Sequence, residues 1–254
     1  MAEVLSYDLL LSGVTVFFAA GLQVLTGFGF SLICVPILLY FYPGYEAIWI
    51  SLVLSSFSLS VQMLRNRPRP RWDLVRRLVG FGIPGLILGL LTSGMLNAVH
   101  LKGFVGAVVL GYVVFQLIQR KKGQVAVERA ERTKGFDLAG FAAGLLTGVA
   151  GIPGPPAVAV LIKMLKKEEF LATIVAYFLT IFLTAIGLSF VFHAEALSSE
   201  IVYTVLILMV PTLLGLLLAH PIRQSINELN FKRLVYLLLI IVGVSSLWQS
   251  VTQI

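Results

Sequence analysis

Two interruptions decide how this chain folds: Gly27-Phe28-Gly29-Phe30-Ser31, inside the apolar run Leu9–Phe41, and Gly151-Ile152-Pro153-Gly154-Pro155-Pro156 in the second half. Glycine has excess backbone freedom, while proline lacks an N–H and clashes with the preceding turn, so both clusters break helices. Both lie in hydrophobic sequence where a water-exposed loop is not expected. At membrane depth a broken backbone survives only if protein covers it or it lines a cavity. Paired breaks in corresponding places of two halves point to the binding site of a transporter.

The surrounding sequence reads as membrane. Of 254 residues, 58% are hydrophobic and only 12% charged, with a mean hydropathy of +0.96. A soluble domain carries about a quarter charged residues. The deficit, together with repeated apolar runs of spanning length, predicts a polytopic all-α membrane protein with no separate soluble domain. No Lys or Arg occurs before Arg65, so a cleavable signal peptide with a basic start is not expected. Cys34 is the only cysteine, which leaves no internal disulfide and no cysteine-based metal cluster; it reads as a small buried apolar side chain. The net charge of +7 sits in short loops between apolar runs, where it sets topology rather than binding nucleic acid.

Taken in order, Leu9–Thr26 and Phe30–Phe41 form a helical hairpin whose second arm is too short to cross. Ala47–Leu64 spans, Trp72–Arg77 reads as a short interfacial helix, Leu78–Leu96 spans with a bend at Pro84-Gly85, and Leu101–Gln119 spans. After the polar linker 120–134 the plan repeats: Phe136–Ala150 and Ala157–Leu165 flank the second break, and Phe170–Phe192, Ile201–Ala219 and Phe231–Ser250 span. Gly27 corresponds to Gly151, Pro84 to Pro211, and Leu96-Asn97 with Leu101-Lys102 to Ile226-Asn227 with Phe231-Lys232. A slowly growing offset is what loop insertions in a duplicated unit produce. The expected organisation is therefore one integral membrane domain, 1–254, with repeat 1 at about 8–119 and repeat 2 at about 135–250.

A hairpin returns to its own side and three crossings follow, so each half crosses an odd number of times and the second is inverted. With Arg65–Arg77 in the cytoplasm, the linker, Lys163–Lys167 and Arg223–Arg233 also fall inside; of 19 basic residues only Lys102 lies outside. The connections Pro43–Glu46 and His193–Glu200 carry acids and no bases. The positive-inside rule then predicts a multi-pass protein of the inner (cytoplasmic) membrane with both termini on the outer face.

The spans hold no charged side chain near their centres, so the expected anion donors are backbone N–H groups. A helix N-terminus has unpaired N–H groups and about half a positive charge. Helices beginning near Phe30 and Ala157 would aim theirs at one central volume. The candidate substrate-binding residues at the break tips are Gln23, Thr26, Gly27, Phe28, Gly29, Phe30, Ser31, Thr147, Gly151, Ile152, Pro153 and Gly154. Hydroxyl stripes follow each break at helical spacing: Ser51, Ser55, Ser58 and Gln62, then Thr173, Tyr177, Thr180 and Thr184. Such stripes bond across helices or line a wet pathway, and both roles stay open for Ser55, Tyr177 and Thr180.

Glycine-rich hairpins opening each half, the first ending in Cys34-Val35-Pro36-Ile37-Leu38, resemble the sulfite exporter TauE/SafE family of permeases over nearly the whole chain. The resemblance implies export of a sulfur-containing anion such as sulfite or sulfoacetate. Phe28 and Phe30 stand where the family is richer in glycine, and would shape a pocket for a larger, partly organic sulfonate.

Other classes lack their signatures. There is no Gly-x-Ser-x-Gly elbow, no His-Glu-x-x-His and no third glycine to complete a dinucleotide loop, so an enzyme is not expected. His100, His193 and His220 lie at span ends as interfacial residues, on opposite faces, so no metal site and no cofactor is expected. The expected partners are a small anionic substrate and the lipid bilayer, with a homo-oligomer compatible. The competing readings are an anion channel and a membrane scaffold; a pair of midplane breaks favours a secondary carrier.

Overall fold

The computed structural model describes residues 7–42, 44–66, 69–96, 98–121 and 134–222, with isolated positions between 240 and 251. Most of the linker, the Arg223–Arg233 loop and most of the expected span Phe231–Ser250 lie outside the described residues. Among those described, every regular element is helical: α1 (Tyr7–Thr26), α2 (Phe30–Leu38), α3 (Tyr45–Asn66), α4 (Trp72–Ser93), α5 (Ala98–Lys121), α6 (Lys134–Ala150), α7 (Gly154–Met164), α8 (Lys167–Phe192) and α9 (Ser199–Ile222). Five of them, α1, α3, α4, α8 and α9, are long and apolar enough to cross a bilayer.

Several boundaries differ from expectation, each for a local reason. The arms of the first hairpin are unequal: α1 has 20 residues, about 30 Å at 1.5 Å per residue, whereas α2 has nine. Beyond Leu38 the chain tightens, with the N–H groups of Tyr40 and Phe41 donating to the carbonyls of Ile37 and Leu38. Trp72–Arg77 is not a separate interfacial helix but the first turns of a continuous α4, which carries Pro84 in its interior. One lost hydrogen bond is tolerated where a neighbouring helix packs closely along the same stretch. α7 begins at Gly154 rather than Ala157, because Pro155 and Pro156 sit in its first turn, where proline's fixed φ is already helical. The prolines start the helix; Gly151 and Ile152 make the break.

Two helix pairs are packed backbone to backbone. A Cβ on Gly85 would strike the Phe141 carbonyl, one on Gly144 the Gly82 carbonyl, and one on Gly148 the Leu86 carbonyl, so α4 and α6 run parallel and in close contact. Likewise a Cβ on Gly215 would strike the Phe17 carbonyl, with Gly13 against Pro211 and Gly21 against Ala219, so α1 and α9 run parallel. Small residues let helices approach where lipid offers no hydrophobic drive for association. Outward-facing Leu206, Val210, Leu214 and Leu218 give α9 an apolar exposed face suited to lipid.

Polar contacts mark the two ends of the bundle. At one end, Arg77 pairs with Asp137, joining the starts of α4 and α6, and the Arg71 N–H donates to Thr173 Oγ1 at 3.1 Å. At the other, His193 stacks on Tyr45 (ring centroids 3.9 Å apart), and its Nε2 lies 3.0 Å from both Ser93 Oγ and the Leu90 carbonyl. His193 is therefore not an interfacial side chain facing solvent: it is 3% exposed and clasps α3, α4 and α8 together. These anchors set directions: α4, α6 and α8 run from the Arg71 end to the His193 end, while α3 runs the other way.

Gly144→Ala, which drives a methyl into the Gly82 carbonyl, is expected to destabilise the detergent-solubilised protein by about 1–3 kcal/mol. Gly80→Ala, with nothing within 4 Å of the added carbon, is expected to leave the unfolding temperature unchanged or slightly raised. Thermal unfolding of the two variants checks the difference.

Candidate functional site between the helix breaks

Each break is built by the same local device. α1 ends where the Gly27 N–H donates to the Gln23 carbonyl at 2.8 Å, with Gly27 at φ 80. α6 ends where the Gly151 N–H donates to the Thr147 carbonyl at 2.8 Å, with Gly151 at φ 66. A left-handed glycine just past a helix closes its last carbonyls and turns the chain. Each break is then covered by a long helix of the other half: a Cβ on Gly27 would meet Leu171 and Ile174 of α8, and one on Gly151 would meet Ile48 and Leu52 of α3.

The breaks also meet each other. Phe28 lies 3.9 Å from the Cβ position of Gly154, and a small cavity runs between the two segments. Gln23, Gly29, Phe30, Ser31 and Leu32 line it from the first hairpin; Ile152, Pro153 and Gly154 line it from the second. Ser55 of α3 and Phe178 and Phe182 of α8 complete the wall. Its volume is about 10 Å³, the room one water takes. A ligand the size of sulfite enters only if the rings around it, Phe30, Phe178 and Phe182, move apart.

The two helix N-termini are unequal as donors. An α-helix leaves its first four N–H groups without helical partners. At α2 these belong to Gly29, Phe30, Ser31 and Leu32, all on the cavity wall, and no side chain caps them. At α7 the same positions are Pro153, Gly154, Pro155 and Pro156, so only Gly154 has an N–H to offer. The two helix starts, expected to aim their N-termini at one central volume, thus differ in the number of N–H donors they carry.

The hydroxyl stripes divide in the same way. On α3, Ser51 donates to Ser31 Oγ at 3.1 Å and Ser55 accepts from Gln23 Nε2 at 2.7 Å, so the stripe ties down both arms of the first hairpin. On α8, Thr180 and Thr184 donate to carbonyls of their own helix, and Thr173 faces Arg71. Tyr177 is fully buried away from the cavity, its hydroxyl near Gly82. Thr147 likewise donates to the Ala143 carbonyl. Tyr177, Thr180, Thr147, Gly27 and Gly151 are thus absent from the cavity wall, where they act as frame, and Phe28 packs beside it. The side chain of Thr26 lies outside the described residues. Leu32, Phe178 and Phe182 were not anticipated; nothing in their sequence sets them apart from lipid-facing apolar residues.

A multi-helix bundle with membrane-spanning apolar helices and two glycine breaks beside one small cavity has the build expected of a membrane permease. The chain is a member of the sulfite exporter TauE/SafE family, whose model matches residues 12–246, nearly its full length. It is accordingly a multi-pass membrane protein of a family of transporters for sulfur-containing anions. No curated protein and no solved structure matches it. Among the described residues no cluster of His, Cys, Asp and Glu could hold a metal ion.

Gly29→Ala forces a side chain into φ 101 and is expected to cost about 1–3 kcal/mol and most of the flux. Gly154→Ala, at an ordinary helical position with 3.9 Å of clearance, is expected to be mild in both. Thermal unfolding and proteoliposome flux of the pair distinguish the first hairpin from the second.

Proposed function

We propose that the protein is a secondary transporter that exports a small sulfur-containing anion across the cytoplasmic membrane, binding it between the two helix breaks. The observation that carries this reading is that the first turn of α2, which no N-cap side chain caps, lines a small cavity together with residues of the second break. The amides of such a turn hold an oxyanion without a basic side chain. The tight cavity and its three phenylalanines favour a compact ion such as sulfite over a bulky organic sulfonate.

An inverted duplication underlies the site in this reading. Its support is that counterpart helices run in opposite directions: α1 against α6, α3 against α8, and α4 against α9. The cross-pairing is reciprocal as well, α4 on α6 and α9 on α1, with each break covered by the other half's long helix. Eighteen of 19 basic residues belong to segments expected at the Arg71 end, which is assigned to the cytoplasm; both termini then face outward.

Labelled sulfite flux from proteoliposomes under an imposed potential tests the transport reading. A single negative charge moving through 100 mV gains about 2.3 kcal/mol, so flux should rise steeply with voltage. Flux that ignored voltage and followed a pH gradient would exclude uncoupled anion export. For topology, Glu195→Cys should react with an impermeant maleimide in intact cells and Arg69→Cys only after permeabilisation; the reverse pattern would invert the assignment.

A further inference from the structure

Among the described residues, Gln23 is the one amide side chain on the cavity wall. It is 1% exposed, and its Nε2 donates to Ser55 Oγ at 2.7 Å. That bond leaves Oε1 buried and without a hydrogen-bond partner among the described residues, on a side chain that lines the cavity. A buried acceptor left unpaired is unfavourable, so an occupant that donates to it is selected over one that cannot. Phe30, Ser31 and Leu32 line the same cavity, and their N–H groups, at the first turn of α2, take only acceptors.

Charge narrows the occupant further. Among the described residues lining the cavity none is ionisable, so the fixed positive potential there is the fractional charge of the α2 N-terminus. The desolvation penalty of an ion grows with the square of its charge. About half a positive charge offsets a single negative charge far better than a double one.

We infer that the site is specific for a monoanion that carries its own hydrogen-bond donor, of which bisulfite is the simplest case, and that Gln23 Oε1 accepts that hydrogen bond. This rests on the anion-transport reading and adds to it the protonation state of the cargo and the residue that selects it. A dianion such as sulfite without its proton would present only acceptors to Gln23 Oε1, and two charges to about half a positive one. No proton carrier is needed in the protein, since the proton travels as part of the cargo.

Sulfamate and methanesulfonate give a direct test, being monoanions of nearly the same size that differ in an amino against a methyl group; sulfate serves as the dianion. Each competes with labelled sulfite for flux into proteoliposomes at mildly acidic pH. Sulfamate is expected to compete about tenfold better than methanesulfonate, with sulfate the weakest. Gln23→Met, which keeps the volume and removes the amide, is expected to abolish the preference for sulfamate while methanesulfonate still competes. Equal competition by the two monoanions, a preference that survives Gln23→Met, or sulfate as the best competitor (the result if the amide presented its NH2 instead) would overturn the inference. The wild-type comparison decides by itself should Gln23→Met fail to fold. Absence of any sulfite flux would remove the transport reading as well, whereas flux without a sulfamate preference would leave transport standing and remove only the donor requirement.

Discussion

Everything in this bundle follows from the absence of water around a broken backbone. An unpaired N–H or C=O in hydrocarbon costs several kcal/mol, so a mid-chain helix break needs protein on every side. Here the cover is exchanged between halves: α8 closes over Gly27, and α3 closes over Gly151. The first turn of α2 lies on the wall of the small cavity between the breaks. Neither half covers its own break alone.

The covering helices need a firm frame, and glycine supplies it. The α4–α6 and α1–α9 pairs approach so closely that carbonyls of one helix occupy the space where Cβ atoms of the other would be. In lipid this substitutes for the hydrophobic effect, which gives helices little reason to associate. The ends are pinned by polar contacts, Arg77–Asp137 at one and the Tyr45–His193–Ser93 clasp at the other. Alongside this frame the hairpin arms are held by single hydrogen bonds, Gln23 to Ser55 and Ser31 to Ser51.

How much of this the sequence disclosed depended on whether backbone or packing was at stake. The helices, the two breaks and the family were legible because apolar run length and Gly/Pro clusters act locally. Gln23, Ser31 and Ser55 were found as polar residues in apolar surroundings that had to go somewhere. Tyr177 and Thr180 share the spacing of the α3 stripe, yet α8 presents Phe178 and Phe182 to the cavity. A stripe marks a face of a helix, and periodicity does not say what that face meets. Pro155 and Pro156 were read as part of the break because proline disrupts helices, when at a first turn it initiates them. His193 was read as interfacial from its place at a span end, which says nothing of the Tyr45 ring that covers it.

The glycine contacts also constrain how the molecule can move. Each tightly joined pair takes one helix from the first half of the chain and one from the second. Sliding one half past the other as a whole would shear both joints at once, carbonyl against α-carbon. Within the two hairpins, only the short arms, α2 and α7, stand outside both joints. The tightest joints of the bundle link helices that lie far apart along the chain.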